Sequence, residues 1–458
     1  MINTLYLPEI REALALNNSQ ELSEFCAALH PARTAEFMEG LTATEAWDVI
    51  QYTDINNRVE IFTYFDLERK IEVLESANRD QVAELVAELA ADDRVDILQD
   101  LEDEVRTDLL SRLPADERRE AIRLSQYPEG TAGAMMTTEV AKLGESLTVA
   151  RALQELGQQA EEFETIYYLY IVDEDDHLRG IVSARQLVSS FRTPDTILST
   201  IMETDVVTAN IDDDQEEVAN KVARMDLLAI PVVDAEYRML GIITHDDVID
   251  VVHEEATEDA HRSVAVEPLE ETYLRTGIFT LSWKRGIWLA ILFFFAALTA
   301  WALRQYKVRL EEVYWLAWFI PLVISSGGNT GSQSATLVIT ALVRGHLTLS
   351  DWLQVVVREL LMGLLLGGGL AILGLVVSYM FFGTSLGWQA MIVLPVTLIL
   401  VVVAGTLTGS VFPLIFERLG WDPAMMSNPF VTGIIDILGI VIYMNVAFWL
   451  LPQLTPAG

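Results

Sequence analysis

The sequence has little cysteine and little positive charge. Cys26 is its single cysteine, which excludes a disulfide framework or a cysteine-based metal cluster within one chain. Lysine and arginine number 30 against 67 aspartate and glutamate residues, so the formal net charge is −37 at pH 7. Such an acidic chain argues against nucleic acid as a partner and would attract cations. Solubility alone explains some excess of acid, but not a bias this large.

Signals for catalysis and secretion are also lacking. The sequence contains no P-loop, no metalloprotease histidine pair and no convincing nucleophile–base pair, so it predicts no enzyme. The first ten residues lack a charged region followed by a long apolar stretch, so they do not resemble a signal peptide. We therefore expect the acidic N-terminal part to stay in the cytoplasm.

Charge is scarce and balanced from Arg285 onward, where seven acidic residues face seven basic ones. This part, residues 284–458, is predicted to be a transmembrane domain, because a span needs about 20 apolar residues. Five spans are predicted, at about 286–306, 313–343, 353–382, 388–416 and 424–452. The second is longer than a ~30 Å hydrocarbon core requires and has ten small or polar residues in its middle, so it must tilt or break.

Asp436 lies inside the fifth apolar run, where a carboxylate is expensive and usually faces an ion path or a buried partner. Asn428 and Thr432 precede it by eight and four residues, so the three side chains share one helical face. All three offer oxygen, the ligand that magnesium and calcium prefer. In the alternative reading, the nearby small residues only allow close helix packing and Asp436 pairs with a hydroxyl.

The weak positive-inside bias of the loops favours a multi-pass protein of the cell inner (plasma) membrane. Five spans then place the N-terminus in the cytoplasm and the C-terminus outside it. One carboxylate per chain supplies only half of the charge of a divalent cation. Two chains around a symmetry axis would supply two carboxylates and a better site.

The soluble part divides into two regions. Residues 1–130 carry recurring short amphipathic helices typical of a helical superhelix. Residues 131–253 contain a repeat of strand, helix, strand, turn, strand and helix, with copies at about 131–195 and 196–253. This repeat looks like a tandem pair of CBS domains, an α+β regulatory module. CBS pairs often bind ATP or another adenine nucleotide, although no residue here identifies that ligand.

Three acidic runs stand out: residues 92–96, residues 212–217 with Asp226 nearby, and residues 245–261 at the start of a predicted connecting segment, 246–283. Like charges repel at helical spacing. If the three faces meet across domains, divalent cations would neutralise them, and losing the ions would drive the domains apart. For any single run, a solvated face is the usual explanation.

Together these features resemble the MgtE family of magnesium channels over essentially the whole chain. The resemblance rests on residues 127–136 (YPEGTAGAMM), 321–336 (PLVISSGGNTGSQSAT) and 422–436 (DPAMMSNPFVTGIID). It implies a multidomain membrane protein with an α-helical N domain, a CBS pair, a long connecting plug helix and five transmembrane helices, assembled as a homodimer in the lipid bilayer.

The resemblance also implies site residues. The ion path would be lined by residues of the second and fifth spans: Asp436, Asn428, Thr432, Gly327, Gly328, Asn329 and Gly331. Regulatory Mg²⁺ would bind acidic residues of the cytoplasmic domains: Asp92, Asp96, Asp214, Glu216, Asp226, Asp247, Asp250, Glu255, Glu258 and Asp259. The predicted function is a Mg²⁺-selective uptake channel closed by cytoplasmic Mg²⁺.

Two other classes stay open. One is a secondary divalent-cation transporter in which Asp436 carries a coupled H⁺ or Na⁺. The other is a membrane-anchored nucleotide sensor without transport, against which the polar second span and Asp436 both argue. Oxygen ligands alone do not discriminate among magnesium, manganese and calcium.

Overall fold

The computed structural model describes residues 5–160, 163–269, 273, 276–383, 387–422 and 428–451. The chain forms two compact units, residues 1–252 and 253–458, which are taken separately below. The division between them falls within the helix His245–Ser263.

Ten short helices open the first unit, as the amphipathic repeats predict. They are α1 (Leu7–Ala15), α2 (Ser19–Ala28), α3 (Pro31–Phe37), α4 (Ala43–Ile50), α5 (Ile55–Thr63), α6 (Leu67–Ser76), α7 (Arg79–Ala87), α8 (Ala91–Gln99), α9 (Asp103–Arg112) and α10 (Ala115–Leu124). Side chains cap several of them. The hydroxyl of Thr42 accepts from Glu45 N–H in a capping box, and Asn78 caps α7. Alternate helices pack together, α5 on α7 and α6 on α8, which produces a superhelix.

The CBS repeat has the predicted order of elements. A short helix, α11 (Ala132–Met135), precedes the first copy. The first copy is β1 (Val140–Gly144), α12 (Val149–Gln159), β2 (Thr165–Val172), β3 (Leu178–Ser183) and α13 (Ala184–Ser189). The second is β4 (Ala209–Asn210), α14 (Gln215–Met225), β5 (Ala229–Val233), β6 (Met239–Thr244) and α15 (His245–Ser263). In both copies the first two strands are parallel and the last two antiparallel.

The two copies share a buried interface, and the chain crosses between them. Tyr170, Val172 and Met239 are among the apolar side chains that pack where the sheets meet. Thr137, just before the first strand of the first copy, exchanges backbone hydrogen bonds with Ile242 in the second. The copies therefore form one structural module.

The connecting segment differs from the prediction. The expectation of one helix over 246–283 is wrong, because α15 ends at Ser263 and residues 264–269 are not helical. Ala265 takes a left-handed conformation (φ 59°), and the N–H of Val266 bonds to His261 O at 3.0 Å. This left-handed turn caps the helix C-terminus, and Pro268 follows.

The second unit contains α16 (Ile278–Gln305), α17 (Lys307–Glu312), α18 (Leu316–Val343), α19 (Trp352–Phe382), α20 (Trp388–Arg418) and α21 (Asn428–Leu450). Four of its helical segments are long and apolar enough to cross a membrane: 278–305, 349–382, 388–418 and 428–450. Helix α18 is as long as α16, at 28 residues, but its middle is polar. Residues 384–386 in the predicted turn and 424–427 at the predicted start of the fifth span lie outside the described residues.

The second span was expected either to tilt or to break. The structure excludes a break, because α18 is continuous from Leu316 to Val343. Its hydroxyls bond to carbonyls one turn back: Ser326 Oγ donates to Leu322 O at 2.7 Å and Thr330 Oγ1 to Ser326 O at 2.6 Å. Helical geometry thus satisfies this polar stretch without broken backbone.

Candidate ion path and acidic cluster

A cavity of about 390 Å³ lies within the second unit, beside α16, α18 and α21. Asn428, Thr432 and Asp436 all line it, as their spacing on one helical face predicts, and Ser332 of α18 lies opposite them. Leu292 and Ala296 of α16 provide apolar wall. A row of oxygen-bearing side chains therefore faces one cavity.

One oxygen of the Asp436 carboxylate lies buried beside this cavity. Its Oδ1 atom is buried and has no hydrogen-bond partner among the described residues. A buried oxygen without a partner is costly, and such groups in native proteins call for a specific explanation. A bound cation would supply the missing interaction, so this atom fits the predicted ion path.

Helices α18 and α21 are joined by side-chain hydrogen bonds at the level of Asn428. Ser332 Oγ donates to Asn428 O at 3.2 Å and lies 3.0 Å from Thr432 Oγ1. Thr336 Oγ1 donates to Asn428 Oδ1 at 3.1 Å. Sequence reasoning placed α18 beside the path but did not select Ser332 or Thr336, because only the packed helices show which side chains face α21.

The predicted glycines of α18 lie at helix–helix contacts, and none of them lines this cavity. A Cβ at Gly327 would come within 2.5 Å of Val401 Cγ1, and one at Gly328 within 2.7 Å of Thr432 Cγ2. Gly331 has the backbone oxygen of Gly405 at 3.3 Å from its Cβ position. Small residues here allow close approach of neighbouring helices.

Asn329 is different from these glycines. Its side chain is exposed in the single chain and donates to Ser325 Oγ at 3.3 Å. Asn329 lies on the same helical stripe as Ser332 and Thr336, three and seven residues before them in α18. The structure brings Asn428, Thr432 and Asp436 together but does not bring Asn329 to the same cavity.

A cluster of carboxylates forms in the first unit, where α8, the start of α15 and the segment before β2 meet. Asp92 of α8 is 8% exposed, and its Oδ1 has no hydrogen-bond partner among the described residues. Burial, then the charges of Asp247, Asp93 and Glu164, raise the pKa of Asp92 well above its usual range. Burial and like charges disfavour the ionised form.

The pKa values of two neighbouring carboxylates, Asp247 and Glu164, are raised as well. Burial is also the first cause that raises the pKa of Asp247 to about 6, and Asp246 and Asp93 add repulsion. Burial and the charge of Asp247 raise the pKa of Glu164 to about 7. A cation bound at this cluster would offset both the cost of burying charged carboxylates and the repulsion between them.

The cluster brings two of the three acidic runs together, since Asp93 lies near Asp250 as well as Asp246. Sequence reasoning placed Asp93 and Asp246 within these runs without selecting them as ligands, and it missed Glu164. Glu164 follows an acidic stretch in the first CBS copy, but only the tertiary structure shows that it faces α8 and α15.

The other predicted acids of the first unit occupy separate positions. Asp214 caps α14 by accepting from Glu216 N–H at 2.9 Å. Asp226 ends the same helix in a left-handed conformation and is exposed. Asp96 is exposed on α8, one turn beyond Asp92.

In the second unit, the end of α15 carries Glu255, Glu258 and Asp259. Arg262 forms ion pairs with Glu258 and with Asp422, which precedes α21 in the chain. Burial and then the charge of Asp422 raise the pKa of Asp259. Asp259 and the ion pair of Arg262 with Glu258 therefore lie close to Asp422.

No group of three or more His, Cys, Asp or Glu side chains converges at metal-ligand spacing in the described part of the chain. Carboxylate, imidazole and thiolate groups therefore do not form a complete coordination shell among the described residues of one chain. Magnesium tends to keep several waters in its own shell, so this finding does not exclude it.

Comparison with known proteins supports the same assignment. Family models match residues 29–130 as an MgtE intracellular N domain, 132–192 and 198–254 as CBS domains, and 320–446 as MgtE, a divalent cation transporter. The magnesium transporter MgtE of Thermus thermophilus is 41% identical over 337 residues, which is 73% of both chains. The chain belongs to the MgtE family.

Further MgtE relatives agree. The magnesium transporter MgtE of Enterococcus faecalis is 35% identical over 73% of this chain and 72% of its own. The crystal structure of the soluble part of a magnesium transporter matches with a TM-score of 0.51 at 33% identity, over 54% of this chain and 97% of that one. A cytosolic domain of the Mg²⁺ channel MgtE in complex with ATP matches with a TM-score of 0.50 at 34% identity, over 53% and 98%. The chain is thus an MgtE-family protein with an N domain, a CBS pair and an apolar helical membrane region.

Proposed function

We propose that the chain is a Mg²⁺-selective channel that mediates magnesium uptake across the inner (plasma) membrane. Two chains would assemble as a homodimer, each crossing the bilayer five times through α16, α18, α19, α20 and α21. The N-terminus would be cytoplasmic and the C-terminus extracytoplasmic. Membership of a magnesium transporter family supports the substrate, and a similar protein is named a Mg²⁺ channel.

The buried, unpartnered Oδ1 of Asp436 carries the proposal. It lies in a cavity with Asn428, Thr432 and Ser332, in an otherwise apolar helix. Oxygen ligands suit magnesium, and the cavity has room for an ion that keeps part of its water shell. A second chain would bring a second Asp436 to the axis and supply the charge that one carboxylate lacks.

We propose that cytoplasmic Mg²⁺ closes the channel by binding the acidic surfaces. Burial first, and then the charges of neighbouring carboxylates, raise the pKa values of Asp92 and Asp247. A divalent cation would neutralise them and hold α8 against the start of α15, which continues to Arg262 and its ion pair with Asp422. When Mg²⁺ falls, repulsion would separate these surfaces and release the closed state.

The regulatory sites at Asp96 of α8, at α14 and at the end of α15 stay proposals of the same kind. The candidate ligands there are Asp96, Asp214, Glu216, Asp226, Glu255, Glu258 and Asp259. ATP at the CBS pair is a further proposal. It rests on the ATP complex of a similar cytosolic domain.

Flux of Mg²⁺ into proteoliposomes tests the pore assignment. Asp436→Asn keeps the size of the side chain but removes its charge, so Mg²⁺ uptake should be abolished. Glu311→Gln is the matched control, because Glu311 is exposed and forms an ion pair with Lys307 on the same short helix. Normal uptake by Asp436→Asn would refute the role of Asp436. Loss of uptake in Glu311→Gln as well would show that the effect is not specific.

The secondary transporter is the second candidate, because Asp436 could equally carry a coupled proton. It predicts that uptake collapses when H⁺ and Na⁺ gradients are removed while the Mg²⁺ gradient is kept. The channel predicts uptake that depends on the Mg²⁺ gradient and the membrane potential alone.

A further inference from the structure

Glu359 is a second carboxylate within a helix of the apolar second unit, and the proposed ion path does not use it. It lies in α19, and among α18, α19, α20 and α21 only Glu359 and Asp436 are acidic residues placed more than one turn from a helix end. An ionisable group in such a position is costly, so it usually has a partner and a function.

The partners of Glu359 lie on two neighbouring helices. Ser334 Oγ of α18 donates to Glu359 Oε2 at 2.6 Å, and Ser334 itself is 5% exposed. Thr406 Oγ1 of α20 donates to the backbone oxygen of Glu359 at 3.0 Å. The side chain of Glu359 therefore ties α19 to α18, and its backbone ties α19 to α20.

Helix α18 is held from two sides at this level. Ser332 and Thr336 bond to Asn428, as described above. Ser334 stands two residues from each, so it points to roughly the opposite face of the helix, toward Glu359. A rotation of α18 that breaks the bond to Glu359 would also move Ser332 and Thr336 away from Asn428.

Close packing restricts other movements of α18. A Cβ at Gly409 would come within 2.1 Å of the backbone oxygen of Gly331, so α18 and α20 are already in backbone contact. This contact limits how near the helices lie but makes no directional bond. The Glu359–Ser334 hydrogen bond supplies the direction.

We propose that Glu359 is a positioning residue of the ion path. Its hydrogen bond with Ser334 fixes the rotation of α18, so that Ser332 and Thr336 hold Asn428 at the cavity that contains Asp436. This inference rests on the proposed function, because it assigns Glu359 a role in Mg²⁺ passage through that cavity.

Mg²⁺ flux in proteoliposomes of the full chain, normalised to folded dimer, tests the proposal. Glu359→Leu and Ser334→Ala each remove the hydrogen bond, and each should lower flux by roughly three- to tenfold, the range that interhelical bonds in membranes support. Glu359→Gln keeps a carbonyl oxygen that can accept from Ser334, so its flux should stay near that of the wild type.

Two readouts separate positioning from a general folding defect. The double variant Glu359→Leu/Ser334→Ala should be no worse than either single variant, because both remove the same bond. The ratio of Mg²⁺ to Ca²⁺ flux should shift in Glu359→Leu and Ser334→Ala but not in Glu359→Gln. If Glu359→Leu does not fold, Ser334→Ala still tests the proposal, because it removes only one hydroxyl group.

The proposal is overturned if Glu359→Gln loses as much flux as Glu359→Leu, since the charge and not the hydrogen bond would then matter. Additive losses in the double variant, or an unchanged flux ratio in Ser334→Ala, would also overturn it. Absence of Mg²⁺ flux in the wild type would instead refute the proposed function.

Discussion

Asp247→Asn should stabilise the magnesium-free protein at neutral pH. Asp247 begins α15 within the carboxylate cluster, and its Oδ2 accepts from the Thr244 hydroxyl at 2.6 Å. Asparagine keeps an oxygen that can accept this bond but removes the negative charge. The variant therefore removes both the cost of burying this charge and the repulsion that Asp247 shares with Asp246 and Asp93.

The size of the effect follows from the pKa of Asp247. A rise from 3.8 to about 6 makes the charged form unfavourable by at most about 3 kcal/mol. The side chain is partly exposed, so solvent screening reduces this to about 1–2 kcal/mol. The pKa of Asp247 is higher in the folded than in the unfolded protein, so ionisation of Asp247 destabilises the fold. The wild type is therefore most stable below pH 3.8, and it loses this part of its stability as the pH rises to about 6.

Hydrogen exchange of the α8 and α15 amides measures the local free energy of opening. In Mg²⁺-free buffer, wild-type protection should fall between about pH 4 and 6 from Asp247 and on to about 7 from Glu164, after correction for intrinsic exchange. Above this pH range, the α8 and α15 amides of Asp247→Asn should be more protected than those of the wild type. Added Mg²⁺ should increase their protection less than it does in the wild type. Asp195→Asn, at an exposed carboxylate of the same unit, should match the wild type. Equal or lower protection in Asp247→Asn would refute the repulsion argument.

Two further substitutions test the packing of each unit. Arg94→Met should destabilise the first unit by about 3–5 kcal/mol in thermal unfolding, because the nearly buried guanidinium faces Glu120 at 3.3 Å and Glu139 at 3.8 Å; an unchanged midpoint would contradict this. Gly409→Ala should separate α18 from α20 and lower stability by about 1–3 kcal/mol, since its Cβ would come within 2.1 Å of the α18 backbone. Gly368→Ala is the control, because a Cβ there meets nothing within 4 Å; equal losses in both variants would refute the close contact.

Local sequence patterns were sufficient for much of the architecture. The two CBS copies were predictable because β-branched strands such as 229–233 alternate with helices at a regular spacing. Asn428, Thr432 and Asp436 could be placed on one face because helical periodicity fixes their directions. These features depend on residues close together in the chain.

Features that depend on distant contacts were not predictable. Glu164 joins the carboxylate cluster only because the segment before β2 folds against α8 and α15. Ser334 and Glu359 are 25 residues apart, and no periodicity relates them. The end of α15 at Ser263 was missed because the left-handed turn occurs at Ala265, where glycine would be the usual signal.

Electrical recording from the purified protein in planar bilayers tests the central claim most directly. With different Mg²⁺ concentrations on the two sides and equal H⁺ and Na⁺, the reversal potential should follow the Mg²⁺ gradient, and Mg²⁺ added to the cytoplasmic side should close the channel. Asp436→Asn should carry no Mg²⁺ current. A reversal potential set by H⁺ or Na⁺, or a wild-type-sized current through Asp436→Asn, would contradict the account.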